Sequence, residues 1–163
     1  SDFVGGLNNT FTYKNWDFGF MFTFQIGGNI YDDGEKFQMN NVGTWNLKSN
    51  VLDRWQKPGD ELMTNVPSNP YTSNSARDAF YNGSSVLVEK GDHIRLQYIN
   101  VGYQLNNTQL KGIGMKSLHL YCSVSNLGIL WKANKAGIDP DYNWGTYSLK
   151  PVTTYSLGLR AQF

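Results

Sequence analysis

The chain has 163 residues, a mass of 18.5 kDa and a formal net charge of +1, and this length fits a single domain. No run of about 18 apolar residues is present, which excludes a transmembrane helix. The near-neutral charge argues against a nucleic-acid-binding protein. One cysteine excludes a disulfide framework and a cysteine-based zinc site. Many aromatics and glycines with few charges favour β-structure, including a transmembrane β-barrel, whose sequence signal is alternation.

The first two strands are predicted at residues 6–13 and 16–26, joined by the two-residue turn Lys14-Asn15. Residues 16–26 alternate between large apolar and mostly polar or small side chains, which is the period of a strand. Six large apolar groups on one face are more than a strand of a small soluble domain needs. They are Trp16, Phe18, Phe20, Phe22, Phe24 and Ile26.

Residues 27–91 are predicted to form one long loop, because they are rich in Asn, Ser, Pro and aromatic residues without strand periodicity. A helical turn is predicted within it at residues 51–55. The chain begins at Ser1 without an initiator Met or an apolar signal region. We therefore expect either that a signal peptide has been removed or that the chain starts inside a longer protein.

Three more strands are predicted at residues 92–105, 116–127 and 153–163. In the first of these the apolar phase switches by one residue, which predicts a β-bulge near Tyr98. A medium turn follows at residues 106–115, and a loop covers residues 132–152. Short and long connections thus alternate along the chain.

This pattern predicts part of an outer-membrane β-barrel. The strands at 16–26 and 153–163 have the length of about 9 to 11 residues that a crossing strand needs. Five strands cannot close a barrel, since the smallest natural barrels use about eight. The chain is therefore expected to be a piece of a larger barrel. Its short turns would face the periplasm, and the loops 27–91 and 132–152 would be extracellular.

An ordered set of motifs over nearly the whole chain resembles the C-terminal end of SusC/RagA-type TonB-dependent outer-membrane transporters of Bacteroidetes. Each motif alone is weak, but their order along the chain matches the family. The matching segments are residues 6–17 (GLNNTFTYKNWD), 27–32 (GGNIYD), 88–103 (VEKGDHIRLQYINVGY), 125–127 (SNL), 137–141 (GIDPD) and 155–163 (YSLGLRAQF).

The resemblance implies an all-β fold: residues 1–163 would be the last five or so strands of a plugged barrel of about 22 strands, with one long extracellular loop. It implies import of a nutrient, an oligosaccharide or a peptide, across the bacterial outer membrane, with a SusD-like surface lipoprotein as partner. Further partners would be the rest of the barrel and its plug, the TonB complex through a separate N-terminal part, and membrane lipid with lipopolysaccharide. The alternating residues Tyr155, Leu157, Leu159 and Phe163 resemble the family's outer-membrane assembly signal.

Candidate contact residues for substrate or partner are the loop aromatics Trp45, Trp55, Tyr71, Phe80 and Tyr81. Tyr and Trp side chains combine an apolar face with a polar tip, as binding surfaces need. The alternative is that they pack the loop on itself or on the lipoprotein. Arg95 and Arg160 are expected to face the lumen.

No catalytic residue, metal ligand set or cofactor motif is predicted, and no enzyme activity is expected. His93 and His119 have no third ligand nearby in the sequence, and Asp139 and Asp141 belong to a turn motif. The competing function is a soluble β-sandwich that binds carbohydrate. A sandwich requires a second sheet of comparable apolar size facing residues 16–26, whereas a barrel wall requires lipid there.

Overall fold

The structure is a computed structural model that describes residues 1–32, 49–69, 71–72, 74–106, 108–110, 112, 114–143 and 149–163. It divides into two units. The first comprises residues 1–28, 91–134 and 149–163, and the second comprises the described residues of 29–90 and 135–148. No helix in these ranges has the length and hydropathy that a membrane-spanning helix requires.

The first unit is a five-stranded antiparallel sheet. Its strands are β1 Phe3–Tyr13, β2 Trp16–Ile26, β5 His93–Asn106, β6 Ser117–Lys132 and β7 Thr154–Gln162, and they lie side by side in that order. The short strands β3 Asn29–Tyr31 and β4 Val88–Lys90 belong to the second unit. All five predicted strands are present, and neighbours in the sheet follow one another along the chain apart from the excursion between β2 and β5. β1 begins earlier than predicted, and β6 extends beyond the predicted end at residue 127.

A bulge in β5 explains the phase switch in the sequence. Met21 pairs with Tyr98 but the next residue, Phe22, pairs with Leu96, so Gln97 is the extra residue on β5. An extra residue reverses which side chains point to each face. The bulge therefore keeps the apolar residues of both halves of β5 on one face, and the predicted bulge near Tyr98 is confirmed.

One face of the sheet is apolar across all five strands, because the register aligns the apolar positions. Rings on β1 and β2 contact one another with centroid distances of 5.0 to 6.5 Å. We call this the apolar face. It consists of Phe3, Leu7, Phe11 and Tyr13 of β1; Trp16, Phe18, Phe20, Phe22, Phe24 and Ile26 of β2; Ile94, Leu96, Ile99, Val101, Tyr103 and Leu105 of β5; Leu118, Leu120, Cys122 and Val124 of β6; and Tyr155, Leu157, Leu159 and Ala161 of β7.

No described residue of the apolar face is buried, and Leu157 is 84% exposed. A β-sandwich would bury this face against a second sheet. The other sheet in the described residues has only two strands of three residues, β3 Asn29–Tyr31 and β4 Val88–Lys90. It is far too small for that role. The first unit is therefore a single-layer sheet with one apolar and one polar face, a fragment of a barrel wall that does not close on itself.

The second unit has a small core of its own. Tyr81 and Leu87 are buried, with Tyr31 and Val66 packed against them. Tyr81 lies on the helix α1, Ser75–Asn82, whose N-terminus is capped by the Asn74 side chain. Short 3-10 helices lie at Ser49–Asp53, Asp60–Leu62, Ser85–Leu87 and Pro140–Tyr142. The helical turn predicted at 51–55 thus lies slightly earlier, and α1 was not predicted.

Asp92 fixes the point at which the chain leaves and re-enters the sheet. Its Oδ1 accepts hydrogen bonds from the backbone N–H groups of Gly27 and Gly28, at 2.7 and 3.2 Å. The Gly91 N–H donates to the Gly28 carbonyl at 2.7 Å. Gly27 has a φ of 78°, which glycine adopts without strain. The motifs at 27–28 and 91–92 are therefore explained by one hydrogen-bonded junction.

Candidate functional site

On the polar face of the sheet, Asp17 of β2 and His119 of β6 meet across the intervening strand β5. The Asp17 Oδ1 and His119 Nε2 atoms are 2.9 Å apart. Gly102 of β5 lies between them, since it pairs with Asp17 on one side and Tyr121 on the other. A Cβ at Gly102 would lie 2.5 Å from His119 Nε2 and would overlap the Asp17 carboxylate. The absence of a side chain at residue 102 is what allows this cross-strand pair to form.

A second glycine serves the same purpose one strand away. The Tyr121 ring of β6 lies directly over Gly158 of β7, where any Cβ would overlap the phenol. The His119 and Tyr121 rings are roughly parallel, with centroids 5.9 Å apart. Together these side chains lie along the wall and link four neighbouring strands. The sequence did not predict this cluster, because its only signal is a glycine opposite polar residues in a register that was not yet known.

The predicted lumen-facing arginines both lie on the polar face. Arg95 is buried and pairs in register with Thr23 and Ile129. Arg160 is exposed and pairs in register with His119. Both positions are compatible with a lumen-facing role, which stays a prediction.

The loop aromatics separate into two groups. Tyr81 is only 8% exposed and lies in the core of the second unit. Trp55 is half-buried, and its indole N–H donates to the Thr64 carbonyl at 2.6 Å. Both rings contact other residues of the second unit, and their role in contacting substrate or partner stays a prediction. Tyr71 and Phe80 are exposed and keep a free face, whereas Trp45 lies outside the described residues.

The residues of the predicted assembly signal lie at the end of the sheet. Tyr155, Leu157 and Leu159 are exposed on the apolar face of β7. Phe163 follows β7, and its carbonyl accepts a hydrogen bond from Lys116 Nζ at 2.9 Å. Their alternation is visible, and their role in assembly stays a prediction.

The remaining motif residues have structural roles. His93 Nδ1 lies 2.8 Å from the Gly91 carbonyl oxygen. The Asp139 carboxylate accepts from the Asp141 N–H at 3.2 Å and so caps the short helix Pro140–Tyr142. Across the described ranges, no three His, Cys, Asp or Glu side chains form a group that would hold a metal ion.

The amino-acid sequence is similar to that of known TonB-dependent receptors. No family model matches the chain. Two proteins of Formosa agariphila, TonB-dependent receptor P26 and TonB-dependent receptor P39, are 28% and 27% identical to it over 99% and 100% of the chain. The chain spans only 17% and 16% of their lengths. Both relatives are receptors by name rather than enzymes.

Solved structures of the RagAB peptide importer share the fold. The open-open state matches with a TM-score of 0.71 and the closed-closed state with 0.66, each at 19% identity over 98% of this chain and 17% of that chain. At 19% identity the match shows a shared fold and does not show a shared substrate. The chain therefore has the fold of part of the RagAB barrel wall, and over nearly its whole length its sequence is similar to a segment of TonB-dependent receptors.

Proposed function

We propose that this chain is part of an outer-membrane, TonB-dependent importer of a nutrient, in which it supplies five wall strands and a large extracellular loop. The observation that carries the proposal is the exposed apolar face on a single-layer antiparallel sheet. Strands cross lipid only when every backbone group is paired within a closed barrel. The two outer strands, β1 and β7, would pair with strands elsewhere in the longer polypeptide, here called the parent polypeptide.

The family resemblance supports the proposed partners. These are a SusD-like surface lipoprotein, the TonB complex, the plug and remaining strands of the parent polypeptide, and outer-membrane lipid with lipopolysaccharide. RagAB is a peptide importer. For this chain we propose an oligosaccharide or a peptide as the nutrient. Tyr71 and Phe80, the exposed loop rings, are the proposed contacts for substrate or lipoprotein. The position of these strands at the C-terminal end of the barrel, with Tyr155, Leu157, Leu159 and Phe163 as the assembly signal, belongs to the same proposal.

Two adjacent residues of β7 provide a matched test. Leu157 points to the apolar face and Ser156 to the polar face at the same depth, because side chains of a strand alternate. Each is changed to cysteine in a Cys122→Ala background of the parent polypeptide without other cysteines, labelled with a nitroxide and reconstituted in lipid vesicles. Collision with oxygen reports lipid, and collision with a nickel chelate reports water.

We expect the label at 157 to be accessible to oxygen and protected from the nickel chelate, and the label at 156 to show less oxygen access. Because the two sites differ by one residue, protein expression and label mobility are matched. Nickel access as high at 157 as at an exposed loop position such as Ser85→Cys would contradict the proposal.

A further inference from the structure

An open depression of about 370 Å³ lies within the second unit. This volume falls in the range of about 300 to 1,000 Å³ that is typical of small-molecule sites. We call it the loop depression. Its lining consists of Leu52, Asp53, Arg54, Gln56, Asp60, Met63 and Thr64.

Hydrogen bonds fix the walls of the loop depression. The Trp55 N–H donates to the Val66 carbonyl at 3.1 Å, and its indole N–H donates to the Thr64 carbonyl at 2.6 Å. The N–H groups of Met63 and Thr64 both donate to the Asp60 carbonyl, at 2.9 and 3.0 Å. These bonds close the turn from 55 to 66 on itself. The backbone of this part of the lining is thus fixed before a ligand arrives, which lowers the entropic cost of binding.

The charged groups of the lining are two carboxylates and one guanidinium. Asp60 Oδ2 accepts from the backbone N–H groups of Gln56 and Lys57, at 2.8 and 3.0 Å. The Gln56 bond, then the Lys57 bond, holds the pKa of Asp60 below its ordinary value of 3.8. Asp60 therefore stays ionised in mildly acidic surroundings. Arg54, which also lines the loop depression, donates to the Val51 carbonyl at 3.1 Å.

The apolar part of the lining is aliphatic. Leu52 is 71% exposed and Met63 is 86% exposed, and none of the described residues that line the loop depression is aromatic. Flat aromatic surfaces are what a sugar ring stacks on, and the one nearby indole, Trp55, is half-buried and bonded to its own turn. Flexible aliphatic and methionine side chains instead accommodate other aliphatic side chains. Carboxylates beside them attract a cation.

We propose that the loop depression binds a short peptide that carries a cationic group and an aliphatic side chain. The ammonium or guanidinium would pair with Asp60 and Asp53, and the aliphatic side chain would pack on Leu52 and Met63. A peptide carboxylate would pair with Arg54. This inference rests on the proposed function, because it selects the peptide from the two nutrient classes named there.

The test uses the parent polypeptide purified in detergent, with methionine methyl groups labelled with ¹³C. The probes are the tripeptide Lys-Leu-Gly and, for the other class, maltotriose. We expect the tripeptide to shift the Met63 methyl signal, assigned from Met63→Leu, in a saturable manner. Maltotriose should leave it unchanged. The signal of Met21, on the polar face of β2, serves as the internal reference.

Charge removal identifies the cation partner. Asp60→Asn keeps an oxygen for both backbone N–H groups and should raise the Kd for the tripeptide about tenfold. Asp53→Asn, at a residue outside that turn, should also raise it. Glu61→Gln is the matched control: it removes one charge from the next residue, which does not line the loop depression, and should change Kd by less than about twofold in 0.15 M salt.

Three results would overturn the inference: no Met63 shift with the tripeptide, an equal shift with maltotriose, or equal effects of Asp60→Asn, Asp53→Asn and Glu61→Gln. None of these results tests whether the sheet lies in a membrane. If the nitroxide at 157 still reports lipid, the importer proposal stands and only the peptide site fails. If that nitroxide reports water, the importer proposal fails whatever the tripeptide does.

Discussion

Replacing Gly102 by alanine should destabilise the barrel wall, because the new methyl group would occupy the space in which Asp17 and His119 meet. Their side chains are 40% and 28% exposed, so the contact between them is worth only about 0.2–1 kcal/mol. Crowding an occupied space adds about 1–3 kcal/mol. We therefore expect Gly102→Ala to lower the free energy of unfolding by about 2 kcal/mol.

Gly102→Ala should change the free energy of unfolding very little once the side chains of Asp17 and His119 have been removed. In an Asp17→Ala/His119→Ala background, the methyl group at 102 enters vacated space. Alanine also loses less conformational freedom on folding than glycine, so we expect a change within about 0.5 kcal/mol. The difference between the two backgrounds is a coupling free energy of about 1.5–2 kcal/mol, which only residues in contact produce.

The assay is equilibrium unfolding of the parent polypeptide in detergent micelles with guanidinium chloride, analysed where the slopes of the variants agree. Gly19→Ala is the control, since it lies on the same polar face but a Cβ there would meet its nearest neighbour, the Asn9 carbonyl oxygen, at an ordinary 3.5 Å. The reasoning is refuted if Gly102→Ala is no more destabilising than Gly19→Ala. Equal losses in both backgrounds would also refute it.

Two further predictions concern the junction and the loop. Asp92→Ala should speed hydrogen exchange of the Gly27 and Gly28 amides, because it removes their shared acceptor, while Asp92→Asn should preserve much of the protection; equal exchange in both variants would count against this role. Tyr81→Ala should make the loop much more sensitive to protease, since deleting a buried ring removes about 3–5 kcal/mol, while Phe80→Ala on the exposed side of the same helix should have little effect. Similar sensitivity of the two variants would contradict the assignment of Tyr81 to the loop core.

The strands of the wall were predicted well because a strand with one apolar face has apolar residues at every second position of the sequence. β2 was predicted with its observed ends, and the phase switch near Tyr98 located the bulge. The end of a strand was predicted wrongly where this alternation is interrupted. β6 was expected to end at residue 127, but it continues through Asn126 and Gly128, both with positive φ, to Lys132. The strand continues past these residues because its backbone pairs with β5. Backbone pairing does not depend on the pattern of side chains, so the sequence pattern did not predict it.

The loop was less predictable for a related reason. An aromatic residue in a segment without periodicity has the same composition signal whether it binds a ligand or fills a core. Tyr81 and Phe80 are neighbours in sequence, yet one is buried and the other exposed, because α1 turns their side chains in different directions. Likewise, Asp17 and His119 are far apart in the sequence, and only the register of three strands brings them together.

The junction at Asp92 has an evolutionary consequence. The residues that lead into and out of the long loop, Gly28 and Gly91, are joined by one hydrogen bond of 2.7 Å. Whatever sequence lies between them starts and finishes at neighbouring points on the wall, so its length and composition can change without altering the strand register. Segments exchanged between relatives at these two glycines should yield barrels that assemble with new surfaces. The wall then acts as a constant frame, and the segment between the two glycines becomes a unit that recombination can replace as a whole.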